Sequence, residues 1–257
     1  DCNKGIRFSY RWDLGRSRLI MIDSRNGRIL ESGERMIIGE REFSWLETQA
    51  TDGIDELDHL MLASSVPWLM PPAIGDLEAV NERTADRPGR RGRLAEKTRR
   101  AVDFDHWPGF YQSFVRLAET IARVAGHPNG PTTVSVLSGD VHHSYAARAE
   151  WAGDSAQPAG ATVHQLVCSP VHNYVPFVKP AFTLGWTRPA AGLARWWARR
   201  RGVPPLPLSW TNTCGPLFGN TIATLQVDGR SAEVLFEQPR GSDALDEVGR
   251  VPLSRPS

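Results

Sequence analysis

"TTVSVLSGDVHHSYA" (residues 132–146) is the stretch on which the fold reading turns. Apolar and β-branched residues run to Leu137, and the chain then breaks into Ser138, Gly139, Asp140, His142 and His143. A short apolar run that stops abruptly in polar residues predicts a buried strand whose tip carries exposed chemistry. The same arrangement recurs in "RLIMIDSR" (18–25), "LDHLMLASSVPW" (57–68) and "TVHQLVCSPVHN" (162–173). Four such runs predict one sheet with its functional groups gathered along one edge, and an α/β fold class.

The intervening segments carry helical spacing. "GEREFSWLETQA" (39–50) presents Phe43 and Leu46 against a polar face. "DHWPGFYQSFVRLAETIARVAG" (105–126) places Trp107, Phe110, Phe114, Leu117, Ile121 and Val124 on one stripe, starting near Pro108 and stopping at Gly126. "NERTADRPGRRGRLAEKTRRA" (81–101) reads as a surface loop running into a short helix. Residues 176–210 form an excursion rich in Pro, Trp and Arg, with one helix from Ala190 to Arg201. Two alternating runs around Asp228-Gly229 predict a hairpin, and the tail after Pro239 reads as loose.

With 257 residues and a formal net charge of +1, the chain can bury a sizeable core, and no global field points to a nucleic acid or a membrane. Cys2, Cys168 and Cys214 are far apart and form no CxxC, so neither a disulfide framework nor a cysteine zinc site is expected. The chain opens "DCNKGIRFSY" with neither Met nor an apolar leader, which leaves localisation open and suggests a fragment.

Asp140 and His142 carry the strongest chemical signal. A carboxylate and an imidazole two residues apart, where a strand breaks into a loop, can both turn toward one ion, and an Asp can bridge two. Gly139 is expected to make the sharp turn. A capped turn with surface histidines is the alternative. His164, Cys168 and His172 are spaced by four, but a strand ending at Pro170 would splay them. Ser138, Asp140 and His142 lie too close in sequence for a hydrolase triad, and no GxSxG elbow exists. "LARWWARRR" (193–201) could lie on an anionic membrane surface or a nucleic-acid backbone, or else pack its Trp residues inward and solvate its Arg residues.

"VSVLSGDVHHSY" resembles the C-terminal metal-binding motif of the PhoD-like (alkaline phosphatase D) metallophosphatases, in the calcineurin-like metallophosphoesterase superfamily. "RLIMIDSRNGR" is similar to that family's strand ending in Asp-Thr-Arg, with Ser24 in the middle position, which maps Asp23 and Arg25. "DHWPGFYQSFVRL" is similar to its Asp-x-Trp-x-Gly-Tyr segment followed by an Arg, which maps Asp105, Trp107, Gly109, Phe110 and Arg116. "SSVPWLMPPAIGDLEAVNE" and "HQLVCSPVHN" look like its connecting segments, so the matches span residues 6–173.

The resemblance implies a two-sheet sandwich flanked by helices, of which this chain supplies the C-terminal portion. The family's Gly-Asp-x-x-Tyr and Asp-Asp-His-Glu motifs do not occur before "IDSR", so part of the metal site would be missing. The implied layout is a catalytic-domain part over 1–175, the excursion over 176–210, a closing hairpin over 211–238 and the tail over 239–257.

The implied activity is hydrolysis of a phosphate monoester or diester, small-molecule, lipid or polymer, by a hydroxide held between two metal ions. Asp140 and His142 would be metal ligands, the ions being divalent or trivalent iron, calcium, manganese or zinc. Arg25 would bind phosphate oxygens, or else pair with Asp23 or another carboxylate. His143 would support the metal shell, act as leaving-group acid or stand by. Asn81 and Asn173 are weaker cleft candidates. The alternative function is a catalytically incomplete chain acting as an interaction or membrane-associated module through residues 176–210.

Overall fold

The chain was analysed as a computed structural model that describes residues 7–31, 33–151, 160–169, 178–241 and 244–255. Its first strands are β1 (Tyr10–Leu14), β2 (Ser17–Ile22), β3 (His59–Ser64), β4 (Thr133–Ser138) and β5 (Ser144–Trp151). They are followed by β6 (Thr162–Val167), β7 (Leu208–Leu217), β8 (Ile222–Asp228), β9 (Ser231–Arg240) and β10 (Ala244–Pro252). The helices are α1 (Glu40–Thr51), α2 (Pro72–Ala85), α3 (Arg90–Ala101), α4 (Tyr111–Ala125), α5 (Val178–Gly185) and α6 (Arg188–Arg200).

A seven-stranded mixed sheet runs in the order β1-β2-β3-β4-β6-β5-β7, and a three-stranded antiparallel sheet runs β10-β9-β8. Strands β2, β3, β4 and β6 are mutually parallel, so the four apolar runs of the sequence all end at the same edge. Alternation along these strands sorts the side chains between two faces. Ile20, Ile22, Leu60, Leu62, Val134 and Val136 join the large core cluster with Phe43 and Leu46 of α1 and Phe114, Leu117 and Ile121 of α4. Leu137, Ala146 and Leu166 pack instead against Val234, Phe236, Val251 and Leu253 of the smaller sheet.

Helix α4 follows the expected stripe, with its starting point displaced. Pro108 lies in a 3₁₀ turn (Trp107–Gly109), and the α-helix begins at Tyr111. It ends at Gly126, whose N–H bonds to Ala122 O at 2.9 Å. Each buried Leu, Ile or Phe on the stripe contributes about 1.5–3 kcal/mol of burial.

Three sequence expectations are corrected. The surface loop expected to open 81–101 is confined to residues 86–89: α2 runs to Ala85, and the expected helix follows as α3 (Arg90–Ala101). The charges of this stretch misled because several are satisfied inward, Glu82 accepting from the Tyr111 N–H at 3.0 Å and Glu96 pairing with the buried Arg35 at 3.2 Å. The tail is not loose, since β10 pairs with β9 from Ala244↔Arg240 to Pro252↔Glu233. It hides this in sequence because most of its residues are exposed, Leu245 and Val248 included, and only Val251 and the following Leu253 are buried. The proposed boundary at 210/211 cuts through β7, which is an edge strand of the main sheet.

The excursion holds two helices where one was expected. On α6, Trp197 packs into the small cluster of Ala79, Val80, Ala198 and Val203, while Trp196 is exposed. Among the described residues no helix is long and apolar enough to cross a membrane.

Candidate active site

The parallel strands deliver their polar tips to one edge of the sheet. Asp23, Ser24 and Arg25 follow β2, Ser64 and Ser65 end β3, and Gly139, Asp140 and His142 follow β4. Beside these tips lies an open cleft of about 410 Å³, lined among others by Asp23, Ser24, Arg25, Ser64, Ser65 and Ser138.

Hydroxyl groups knit the tips together. Ser64 Oγ donates to Ser24 Oγ at 3.1 Å, and the Ser24 and Ser65 hydroxyls lie 2.8 Å apart. Trp107 Nε1 donates to Ser64 Oγ at 3.0 Å, so the Asp-x-Trp segment braces the edge from behind. Gln165 on β6 donates to Ser138 Oγ at 2.9 Å, and its carbonyl oxygen accepts from the Trp68 and Leu69 N–H groups.

The backbone past β4 is unusual. Asp140 has φ +64° and His142 φ +56°, both in the left-handed region that few non-glycine residues occupy. Gly139, expected to make the turn, is not left-handed; a Cβ there would stand 3.2 Å from Cys168 O, so closeness to the neighbouring strand's end accounts for it. Two left-handed non-glycine residues, separated by the buried Val141, thus shape the turn after β4.

Arg25 joins three elements. Its Nε donates to Ser65 Oγ at 3.1 Å, Nη1 to Asp105 Oδ2 at 3.2 Å, and Nη2 to Asp140 Oδ2 in a close contact. The pairing is thus with Asp105 and Asp140; Asp23 instead accepts backbone N–H bonds from Arg25 and Asn26. Arg28 also reaches Asp105, at 2.6 Å. Burial pushes the Asp105 carboxyl up, but the hydrogen bond and charge of Arg28, aided by His106 and Arg25, hold it below the usual range. Asp140 itself is open, with its side chain 54 % exposed.

His143 parts company with its neighbour. It is fully buried, stacks on Tyr145 at 5.0 Å between centroids and lies 4.2 Å from Phe182. Its Nδ1 donates to Val141 O at 2.7 Å. Burial lowers its pKa to about 4, so the ring is neutral at pH 7. A neutral, enclosed imidazole is suited to packing and a poor donor to a leaving group.

The other sequence candidates lie elsewhere. Asn81 donates to Ala95 O at 3.1 Å and ties α2 to α3. Arg116 pairs with Glu47 at 2.9 Å and stacks on Phe43, away from the strand tips. His164 meets Leu253 O at 3.2 Å on the small-sheet face, and Cys168 donates to Thr221 O at 3.2 Å, so these two serve separate contacts. His172 and Asn173 fall outside the described residues.

Residue-by-residue reading missed Ser65 and Arg28, which shape the site's polar network. The doubled serine at the end of an apolar run was the available signal for Ser65; nothing in the sequence pointed to Arg28. It also missed the buried His106–Glu78 pair. Burial pulls the His106 pKa down, but the charge and hydrogen bond of Glu78 more than reverse this.

No family model, curated protein or solved structure matches the chain. The donor set therefore stands on its own chemistry. Asp140 and His142 suit two positions around a divalent ion. Among the described residues, however, no three His, Cys, Asp or Glu side chains converge to hold one.

Proposed function

We propose that this chain takes part in metal-dependent hydrolysis of phosphate esters, with Asp140 and His142 as its metal ligands. The observation that carries the reading is the turn after β4: Asp140 and His142 both take left-handed backbone, and Asp140 pairs with Arg25, which lines an open cleft. A bound pair of ions would supply an activated hydroxide and neutralise phosphoryl charge. The remaining donors would come from outside the described residues.

The protein's own groups have defined tasks in this reading. Arg25 bonds Asp140, Asp105 and Ser65, which fixes its guanidinium beside the cleft, where it would bind a phosphate oxygen through paired hydrogen bonds. Ser24, Ser64 and Ser65 line the cleft with short hydroxyls able to donate to ester oxygens. His143 supports the loop from inside.

The test is metal content together with turnover of a chromogenic phosphodiester, measured on this chain and on the full gene product. Metal-dependent turnover in the full product that disappears in Asp140→Ala supports the reading. A full product that binds no manganese, zinc, iron or calcium, or whose turnover survives Asp140→Ala, refutes it.

A further inference from the structure

The stretch around α6 has an asymmetry of charge that the strand-tip site does not use. Between Asp154 and Asp228 the sequence contains no Asp or Glu, while Lys179, Arg188, Arg195, Arg199, Arg200 and Arg201 all fall there. Helix α6 is held to the fold along one side. Trp197 and Ala198 pack with Ala79 and Val80 of α2, and Arg195 reaches inward to Asp76 at 2.9 Å. Arg195 therefore belongs to the fold, and the other cations of the helix do not.

At 3.6 residues per turn, Arg188, Pro189, Leu193, Trp196, Arg199 and Arg200 fall within one arc of about 140°, opposite the buried Ala194 and Ala198. Trp196 lies near the middle of that arc at 52 % exposure, and Leu193 lies at its margin at 67 %. Arg188 and Arg199 border Trp196 on one side. Arg200 borders it on the other, its guanidinium over the indole ring at 4.5 Å. Among the described residues none of these three arginines forms an ion pair with a carboxylate. Leu184, one tight turn before Arg188, adds an apolar side chain at 62 % exposure.

Charge and apolarity together select the partner. A merely solvated face accounts for the arginines, but it leaves Trp196 and Leu193 exposed among them with no packing gain. A second copy of the same face brings the same cations, and like charges repel. A nucleic acid is gripped by rows of stacking rings along a basic groove, which one indole beside Leu193 and Pro189 does not supply. An apolar centre with cationic margins and no acid matches the surface of an anionic bilayer, where indole sits at headgroup depth and guanidinium groups bond lipid phosphates. We infer that α6 is a membrane-surface helix, seating Trp196 and Leu193 at the headgroup boundary of an anionic bilayer with Arg188, Arg199 and Arg200 on lipid phosphates. At 13 residues it lies on the bilayer and does not span it. The attachment does not depend on the phosphoester reading.

Co-sedimentation of the chain with vesicles tests this, comparing phosphatidylglycerol mixed into phosphatidylcholine with phosphatidylcholine alone. Binding is expected to the mixed vesicles only, and to weaken as added salt screens the charges. Arg199→Gln with Arg200→Gln is expected to weaken partition about 25-fold, at roughly fivefold per basic residue. Trp196→Ser is expected to weaken it about tenfold through lost apolar burial. Arg90→Gln with Arg91→Gln, at exposed positions of α3, is expected to leave it nearly unchanged. All these side chains are exposed, so the Tm of each variant is expected to hold. Vesicle binding is read without turnover, so a failure here and a failure of the phosphoester reading are told apart. No binding to the mixed vesicles, equal binding to phosphatidylcholine, indifference to Trp196→Ser, or an equal loss from the α3 pair would overturn the assignment. Capture of a single-stranded oligonucleotide in place of the vesicles would overturn it too, giving the face to nucleic acid.

Discussion

The four parallel strands have two ends, and both are rich in Asp, His, Ser or Thr, and Arg. At the start of β3 the polar groups are closed off. Asp58 takes Arg16 at 2.7 Å and Arg230 at 2.7 Å, and its side chain is only 6 % exposed. Both ring nitrogens of His59 are occupied, by Thr133 Oγ1 and Gly229 O, each at 2.8 Å. At the far ends of β2 and β4, Asp140 stands half in solvent on a left-handed turn, and the cleft beside it is open. The same residue types thus staple two sheets at one end and border an open cleft at the other. Burial and backbone conformation separate the two ends.

Four substitutions would break or sharpen this contrast. The largest effect is expected at the open end: Asp140→Ala lowers metal-dependent turnover about 100-fold or more, beyond the loss typical of outer-shell partners, and leaves the Tm unchanged. Phosphodiesterase assay and thermal melting of the same sample check both halves. At the closed end Asp58→Ala reverses the pattern, destabilising the fold by roughly 2 kcal/mol in urea titration through loss of its charged hydrogen bonds, with metal binding intact.

Glu82 occupies a third situation, buried with the Tyr111 N–H as its hydrogen-bond donor at 3.0 Å. Burial raises its pKa from 4.5 to about 8. The folded state therefore holds a proton that the unfolded state releases between those values, so its contribution to stability is full below about pH 4.5 and lost as pH rises to about 8. Glu82→Gln should flatten the Tm-against-pH curve across that window, most visibly at its alkaline end. Arg25→Ala should have the smallest effect on stability, because the guanidinium is half-exposed and its ion pairs are solvated. Its effect falls on KM for the phosphodiester rather than on melting.

How much was legible beforehand differs by element. The strand tips were readable because each parallel strand is an apolar run, β6 buried on both faces and β3 and β4 nearly so, and such a run stops where polar residues begin. Helix α2 was not readable as a helix throughout, because Asp76, Glu78 and Glu82 look like a solvated face and are buried by partners more than twenty residues away. Strand β10 was invisible for the opposite reason, since its outer positions are charged and its pairing is entirely with β9. His142 and His143 are adjacent letters with no local signal to tell them apart. Packing against Tyr145, Phe182 and Phe218 draws one into the core and leaves the other half-buried at the tip.

By itself, then, the sequence determined an α/β chain whose polar strand ends share an edge, and it singled out Asp140, His142 and Arg25. Those properties follow from alternation, run length and side-chain chemistry, which are local. Only the tertiary structure decided that Arg25 bonds Asp140 and Asp105 and that His143 is enclosed. Each depends on residues distant in the chain meeting in space, and one-dimensional periodicity does not encode such meetings.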